Sequence, residues 1–109
     1  MNKTLTLVAM AFALAPTAPA RPDKTITLVV PFPAGGATDA LARTLTPKLQ
    51  EKLKQNVIVD NKAGATGTIG AGFVKRAPAD GYTLLVTSLG PLVIAPYLLA
   101  KVPYEASKD

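Results

Sequence analysis

The sequence contains no cysteine and no histidine. Without cysteine there is no disulfide, no thiolate metal site, no cysteine nucleophile and no lipid-anchored leader. Without histidine the commonest general base and the commonest metal ligand are missing, and a Ser-His-Asp arrangement is excluded within the chain. Hydrolase and zinc chemistry are thereby disfavoured before any motif is read. Aromatic residues are scarce, with three Phe and three Tyr. The basic residues are spread thinly: Lys75-Arg76 is the one adjacent basic pair of the mature chain, and Lys48, Lys52 and Lys54 read as the solvated face of one helix. A net charge of +5 distributed in this way argues against a nucleic-acid partner.

What is present is a packed globular composition, 49% hydrophobic and 17% charged, in 109 residues. That length allows one domain at most. Its first twenty residues have the three parts of a secretory leader. Met1-Asn2-Lys3 is the basic start, residues 5–15 are apolar, and Pro16-Thr17-Ala18-Pro19-Ala20 ends in an A-x-A pattern before Arg21. The apolar part is too short to cross a hydrocarbon layer of roughly 30 Å. Residues 1–20 are therefore expected to be a signal peptide, with residues 21–109 exported to the periplasm and not membrane-spanning after cleavage.

Residues 26–39, ITLVVPFPAGGATD, organise the mature chain. A β-branched apolar run ends at Pro31-Phe32-Pro33 and breaks into a glycine turn that enters a helical pattern. Its nearly continuous apolar character suits a parallel strand covered on both faces. The unpaired N–H groups at the start of such a helix favour an anion. The helix is predicted over residues 38–54, with Thr38 as its cap and Asp39 in its first turn. Leu41, Leu45, Leu49 and Leu53, with Ala42 alongside, form an apolar stripe. Pro47 falls inside and is expected to kink or strain the helix.

A second strand is predicted over residues 56–60, followed by a second glycine-rich loop, residues 61–67, and a helix over residues 68–77. Ile69, Phe73 and Val74 are placed facing the sheet, and Gly70 and Gly72 weaken that helix unless close packing needs their small size. Asp80-Gly81 marks a turn before a third strand, residues 82–87. Ser88-Leu89-Gly90-Pro91 then breaks the chain ahead of a final helical piece within residues 92–101, where Pro96 is tolerable in a first turn. The β-α-β-α-β-α order predicts an α/β fold, a three-layer doubly wound parallel sheet of strand order 2-1-3. The loops 31–38, 61–67 and 88–91 then share the rim where open α/β sheets place ligands.

Nucleotide motifs do not fit these loops. There is no Gly-Lys pair for a phosphate-binding G-x-x-x-x-G-K-[ST] loop, and G-x-G-x-x-G is absent. Asp39, Asp60 and Asp80 are too scattered for a metal site, and no cofactor is expected. Thr87 and Ser88 carry hydroxyls beside a glycine turn, suited to donate to a carboxylate. Asp39 is read two ways, as a contact at the site or as a helix-start charge that serves its own helix.

Three segments carry a family resemblance: PFPAGGATDALAR (residues 31–43), VIVDNKAGATGTIGAGFV (residues 57–74) and PADGYTLLVTSLG (residues 78–90). In this order and spacing the chain resembles the N-terminal part of the tripartite tricarboxylate transporter substrate-binding proteins, the Bug-type periplasmic receptors. The resemblance implies part of lobe one of a type II periplasmic-binding-protein, or Venus-flytrap, fold, and a non-enzymatic receptor that delivers a small carboxylate to membrane permease subunits. Carried over by position, the ligand-binding residues are Phe32, Pro33, Ala34, Gly35, Gly36, Ala37, Thr38 and Asp39 in the first loop. Ala63, Gly64, Ala65, Thr66 and Gly67 follow in the second, and Thr87, Ser88 and Gly90 in the third. Where the family often has Asn before the proline of the third helix, this chain has Ala95. The resemblance covers the first third of such a receptor, so the rest of lobe one and lobe two are expected to be absent and the chain to be a fragment. A small exported anion- or phosphoryl-binding enzyme or module, and a non-functional truncated product, are the alternatives.

Overall fold

The computed structural model describes residues 24–109, and the signal peptide expected over residues 1–20 lies outside them. Strand β1 (Ile26–Val30) leads into helix α1 (Ala37–Leu53), then β2 (Val57–Asn61), a 3-10 turn (Ala65–Gly67), α2 (Thr68–Arg76) and β3 (Thr83–Leu85). A wide π-type turn (Gly90–Ile94) runs into the short helix α3 (Ala95–Leu98), which carries Pro96 in its first turn. All three strands are parallel and their order is β2-β1-β3, as the connection rules require. Ile26 stands beside Val57, and Thr27 beside both Ile58 and Thr83.

The apolar run of β1 is what the sheet closes around. Val29 and Val30 have no exposed surface at all. Ile26, Leu28 and Val57 form one core with Leu49, Val59, Tyr82 and Val86 packed against it, on the face covered by α1. Helix α2 covers the opposite face, over β1 and β3. The two helices therefore protect opposite corners. Ile58 on the α2 face of β2 and Leu84 on the α1 face of β3 stay well exposed.

Several local expectations change. The cap of α1 is Gly36, with no side-chain hydrogen bond, and Thr38 is the second residue inside the helix. Pro47 does not break α1, which runs through it as one helix. Pro47 and Arg43, the residue whose carbonyl it leaves without a donor, are both exposed, so water can satisfy that carbonyl. The leucine stripe is not the buried face. Leu41, Leu45 and Leu53 are exposed, while Asp39, Ala42 and, partly, Leu49 turn toward the sheet.

Helix α2 likewise packs through its small residues. Thr68, Gly70, Ala71 and Gly72 are buried, whereas Ile69 and Phe73 are exposed and Val74 is half-buried. A Cβ on Gly70 would lie 2.6 Å from Pro31 Cβ, 2.8 Å from Pro31 Cα and 2.9 Å from the Lys62 carbonyl. The close approach of helix to strand is made possible by that hydrogen. The C-terminal segment after α3 is irregular and folds back over α2. Pro103 sits on Gly72, and Lys75 pairs with Asp109 at 2.7 Å. Tyr104 is buried and its hydroxyl donates to the Pro91 carbonyl. A groove of about 640 Å³ runs between α2 and the free side of β3, lined by Thr83, Leu85, Thr87, Val74 and Tyr104 among others.

Substituting Gly70 by Ala decides between two effects. Ala is the better helix former by about 1 kcal/mol, but overpacking against backbone that cannot yield typically costs about 1–3 kcal/mol. Since two of the three neighbours are main-chain atoms, overpacking is expected to win, and G70A should unfold at lower urea than the parent. An unchanged or higher midpoint would show that α2 can move off the strand.

Candidate functional site

The carboxyl ends of three parallel strands bring three loops to one edge of the sheet. Gly67 is where they meet. It is buried with φ of +87°, and a Cβ there would collide with Pro91 of the third loop and lie 3.5 Å from Phe32 of the first. The second loop earns this placement with an uncommon backbone. Gly64, Ala65, Thr66 and Gly67 have successive φ values of 128°, 47°, 59° and 87°. For a β-branched residue such as Thr66 this is an outlier, and such strain costs about 1–3 kcal/mol per residue and clusters at binding sites.

Above this junction lies a concavity of about 330 Å³, lined by Phe32, Pro33, Gly36, Ala37, Thr38 and Ser88. It opens on the first turn of α1, where the leading N–H groups have no partner within the helix. Two positive influences meet there, the unpaired donors and the helix dipole. Thr38 and, from the third loop, Ser88 are the two hydroxyl-bearing residues among those that line it.

The rest of the sixteen candidates take other places. Ala34 and Gly35 are exposed on the first loop outside the concavity, and Ala63, Gly64, Ala65 and Thr66 are exposed on the second. Thr87 lines the larger groove beside β3, and Gly90 opens the π-type turn without lining the concavity. Asp39 lies behind the first loop, only 3% exposed. Its Oδ2 accepts from the Gly35 N–H at 2.8 Å and from Arg43 Nε at 2.9 Å, while its Oδ1 accepts from Asn61 Nδ2 at 2.9 Å. This carboxylate, three residues into the helix, reaches back past the Gly36 cap to the N–H of Gly35, one residue further than in a capping box, and so ties the loop to the helix start. Its oxygens face the protein.

Three residues at this rim had no role assigned from sequence: Arg43, Asn61 and Pro91. Arg43 stands four residues after Asp39, a spacing that brings side chains together on a helix, and this was the available signal. Asn61 ends β2 and Pro91 follows a glycine, neither of which announces a contact. Among the described residues there is no group of three His, Cys, Asp or Glu able to hold a metal ion, and no helix is long and apolar enough to cross a membrane.

Asp39 has its carboxyl lowered from 3.8 to about 2, chiefly by the Arg43 hydrogen bond, then by the Gly35 N–H and the Asn61 amide, against the opposing effect of burial. A depressed folded value means the stabilisation is complete above the unfolded value near 3.8 and disappears as pH falls through about 2. Asp80 and Asp109 are lowered too and act in the same direction. In D39N the decline of unfolding midpoint between about pH 4 and pH 2 should be shallower than in the parent. Parallel declines in both proteins would show that Asp39 is not held in this way.

Residues 41–109 match the family described as tripartite tricarboxylate transporter family receptor. BugT of Bordetella pertussis is 47% identical over 96 residues, covering 87% of this chain and 28% of the relative. The UPF0065 protein of the tcbD-tcbE intergenic region in Pseudomonas sp. strain P51 is 48% identical over 88 residues, covering 81% of this chain and 26% of the relative. MatC of Rhodopseudomonas palustris, solved with bound malate, superimposes with a TM-score of 0.76 at 41% identity, over 80% of this chain and 30% of that one. An R. palustris protein solved with adipate gives a TM-score of 0.77 at 38% identity, over 81% of this chain and 29% of that one. The chain thus spans little more than a quarter of the length of the two curated relatives.

Proposed function

We propose, from the premise that this chain belongs to the tripartite tricarboxylate transporter receptor family, that its three-loop rim is one wall of a carboxylate-binding cleft. The observation that carries the reading is the concavity itself. Phe32, Pro33, Gly36, Ala37, Thr38 and Ser88, from two loops far apart in sequence, enclose the open donors at the start of α1. A carboxylate fits that wall better than a phosphoryl group, because no lysine or arginine is among its lining residues. Main-chain donors together with the hydroxyls of Thr38 and Ser88 suffice for a single negative charge. Malate and adipate in the two R. palustris neighbours support a small dicarboxylate as the ligand class.

In this reading the protein acts in the periplasm as a solute receptor, carries no catalytic group and hands its ligand to permease subunits of the membrane. The signal peptide over residues 1–20 delivers it there, and residues 21–109 form part of lobe one. A second lobe closing over the rim would complete ligand burial. The 109 residues by themselves provide one wall, so most of the ligand stays in water.

Calorimetric titration of the chain with malate and with adipate is expected to show dissociation constants of roughly millimolar or weaker. Amide shifts at Ala37 and Thr38 should report the contact. Micromolar affinity would overturn the one-wall reading. A clear thermal shift with a nucleotide or a divalent ion, and none with dicarboxylates, would replace carboxylate binding with phosphoryl binding.

A further inference from the structure

We propose that Asn61 is the positioning residue of the rim: it holds the first loop in shape and joins it to the second, without itself lining the concavity. Asn61 is the last residue of β2, set beside Val30 in the sheet. Its neighbour Lys62 donates its N–H to the Val30 carbonyl at 2.8 Å, which anchors the main chain at this level. From there the Asn61 side chain reaches three partners. Nδ2 donates to the Phe32 carbonyl at 3.2 Å and to Asp39 Oδ1 at 2.9 Å, while Oδ1 accepts from Arg43 Nη2 at 3.2 Å. Two of these partners only accept and the third only donates, so the orientation of the amide is settled by its surroundings.

The consequence is a loop held at both ends from one point. Phe32 is held through its carbonyl by Asn61. Gly35 is held through its N–H by Asp39, at 2.8 Å, and Asp39 is in turn bonded to Asn61. The residues that line the concavity inherit their positions from this pair. A short side chain with two donors and one acceptor is required, and only the asparagine amide provides it at this reach. Aspartate has the same shape but is acceptor-only when ionised. It would abandon the Phe32 carbonyl and put a second carboxylate against Asp39. Alanine removes the side-chain donor of the Phe32 carbonyl and one of the two donors of Asp39 Oδ1, which keeps Arg43 Nε at 3.1 Å.

The ligand arm of this inference rests on the carboxylate reading above, whereas the geometric arm does not. Both are read on the isotope-labelled 109-residue chain and its N61A, N61D and D39N/N61D variants, with L49A as a control that weakens the core away from the rim. Hydrogen exchange of the Gly35 amide is measured relative to the amides of β1, and malate is titrated while the Ala37 and Thr38 amides are followed. In N61A and N61D, Gly35 is expected to exchange about tenfold faster relative to β1, and the malate-induced shifts to weaken by a similar factor. L49A should lower the urea midpoint and leave both ratios unchanged. The double variant restores an amide facing a carboxylate and should recover part of the Gly35 protection, which a general loss of stability would not do. Parent-like Gly35 exchange in folded N61A overturns the proposal. Should N61A not fold, recovery in the double variant over N61D supports it and equal exchange in the two overturns it. If malate moves no amide in the parent, the carboxylate reading fails, and Gly35 exchange still decides the role of Asn61.

Discussion

The constraint on which this structure depends is the burial of β1 on both faces and both edges. A strand whose Val29 and Val30 are wholly inside must have a partner on each side and a helix above and below. Five residues with that requirement dictate the order β2-β1-β3 and force the two crossovers onto opposite faces. They also decide where chemistry is available. Four of the five residues of β1 are buried and its main chain is paired on both sides, so the first free main-chain donors appear where the strand stops, at the glycine turn into α1. The position of the candidate site follows from the burial of the strand that precedes it.

Much of this was legible in the sequence. An unbroken β-branched run reads as a strand with two covered faces, and the alternation with helical patterns allows few topologies. The meeting of the three loops was also legible, because parallel strands put their carboxyl ends on one edge. The rotation of α1 was not. Leucines at 41, 45, 49 and 53 outweigh everything else on a hydrophobicity count, yet most of that stripe is exposed. What turns the helix is the buried carboxylate of Asp39. Two of its three donors, Gly35 and Asn61, come from the first loop and from β2, with Arg43 of α1 the third, and an ionised group taken from water needs all its partners. Pattern reading treats a first-turn aspartate as a surface charge, and so places the face one position away.

Helix α2 was misjudged for a related reason. Ile69 and Phe73 attract the eye as core residues, while Gly70 and Gly72 look like defects. Where this helix crosses the end of β1 there is no space for a side chain at Gly70, and Gly72 leaves the room that Pro103 fills on the other side. Volume matters more than hydrophobicity where backbones approach closely. The site shows the same pattern. The residues with recognisable chemistry, Thr38 and Ser88, line the concavity, but the residues that hold its first loop are an asparagine and a buried aspartate, and a glycine makes the room for a proline where two loops meet.

The parallel sheet also has a consequence in time. The partners of β1 lie far along the chain, β2 beyond a whole helix and β3 beyond two, so neither pairing can begin as a local hairpin. Each must close a long loop before any hydrogen bond repays the lost freedom, which makes such pairing slow. The contacts that shape the rim are later still. Asn61 cannot reach Phe32 until β2 has docked, and Gly67 cannot be wedged by Pro91 until β3 has followed. A stretch near the start of the chain therefore acquires its working shape among the last events of folding.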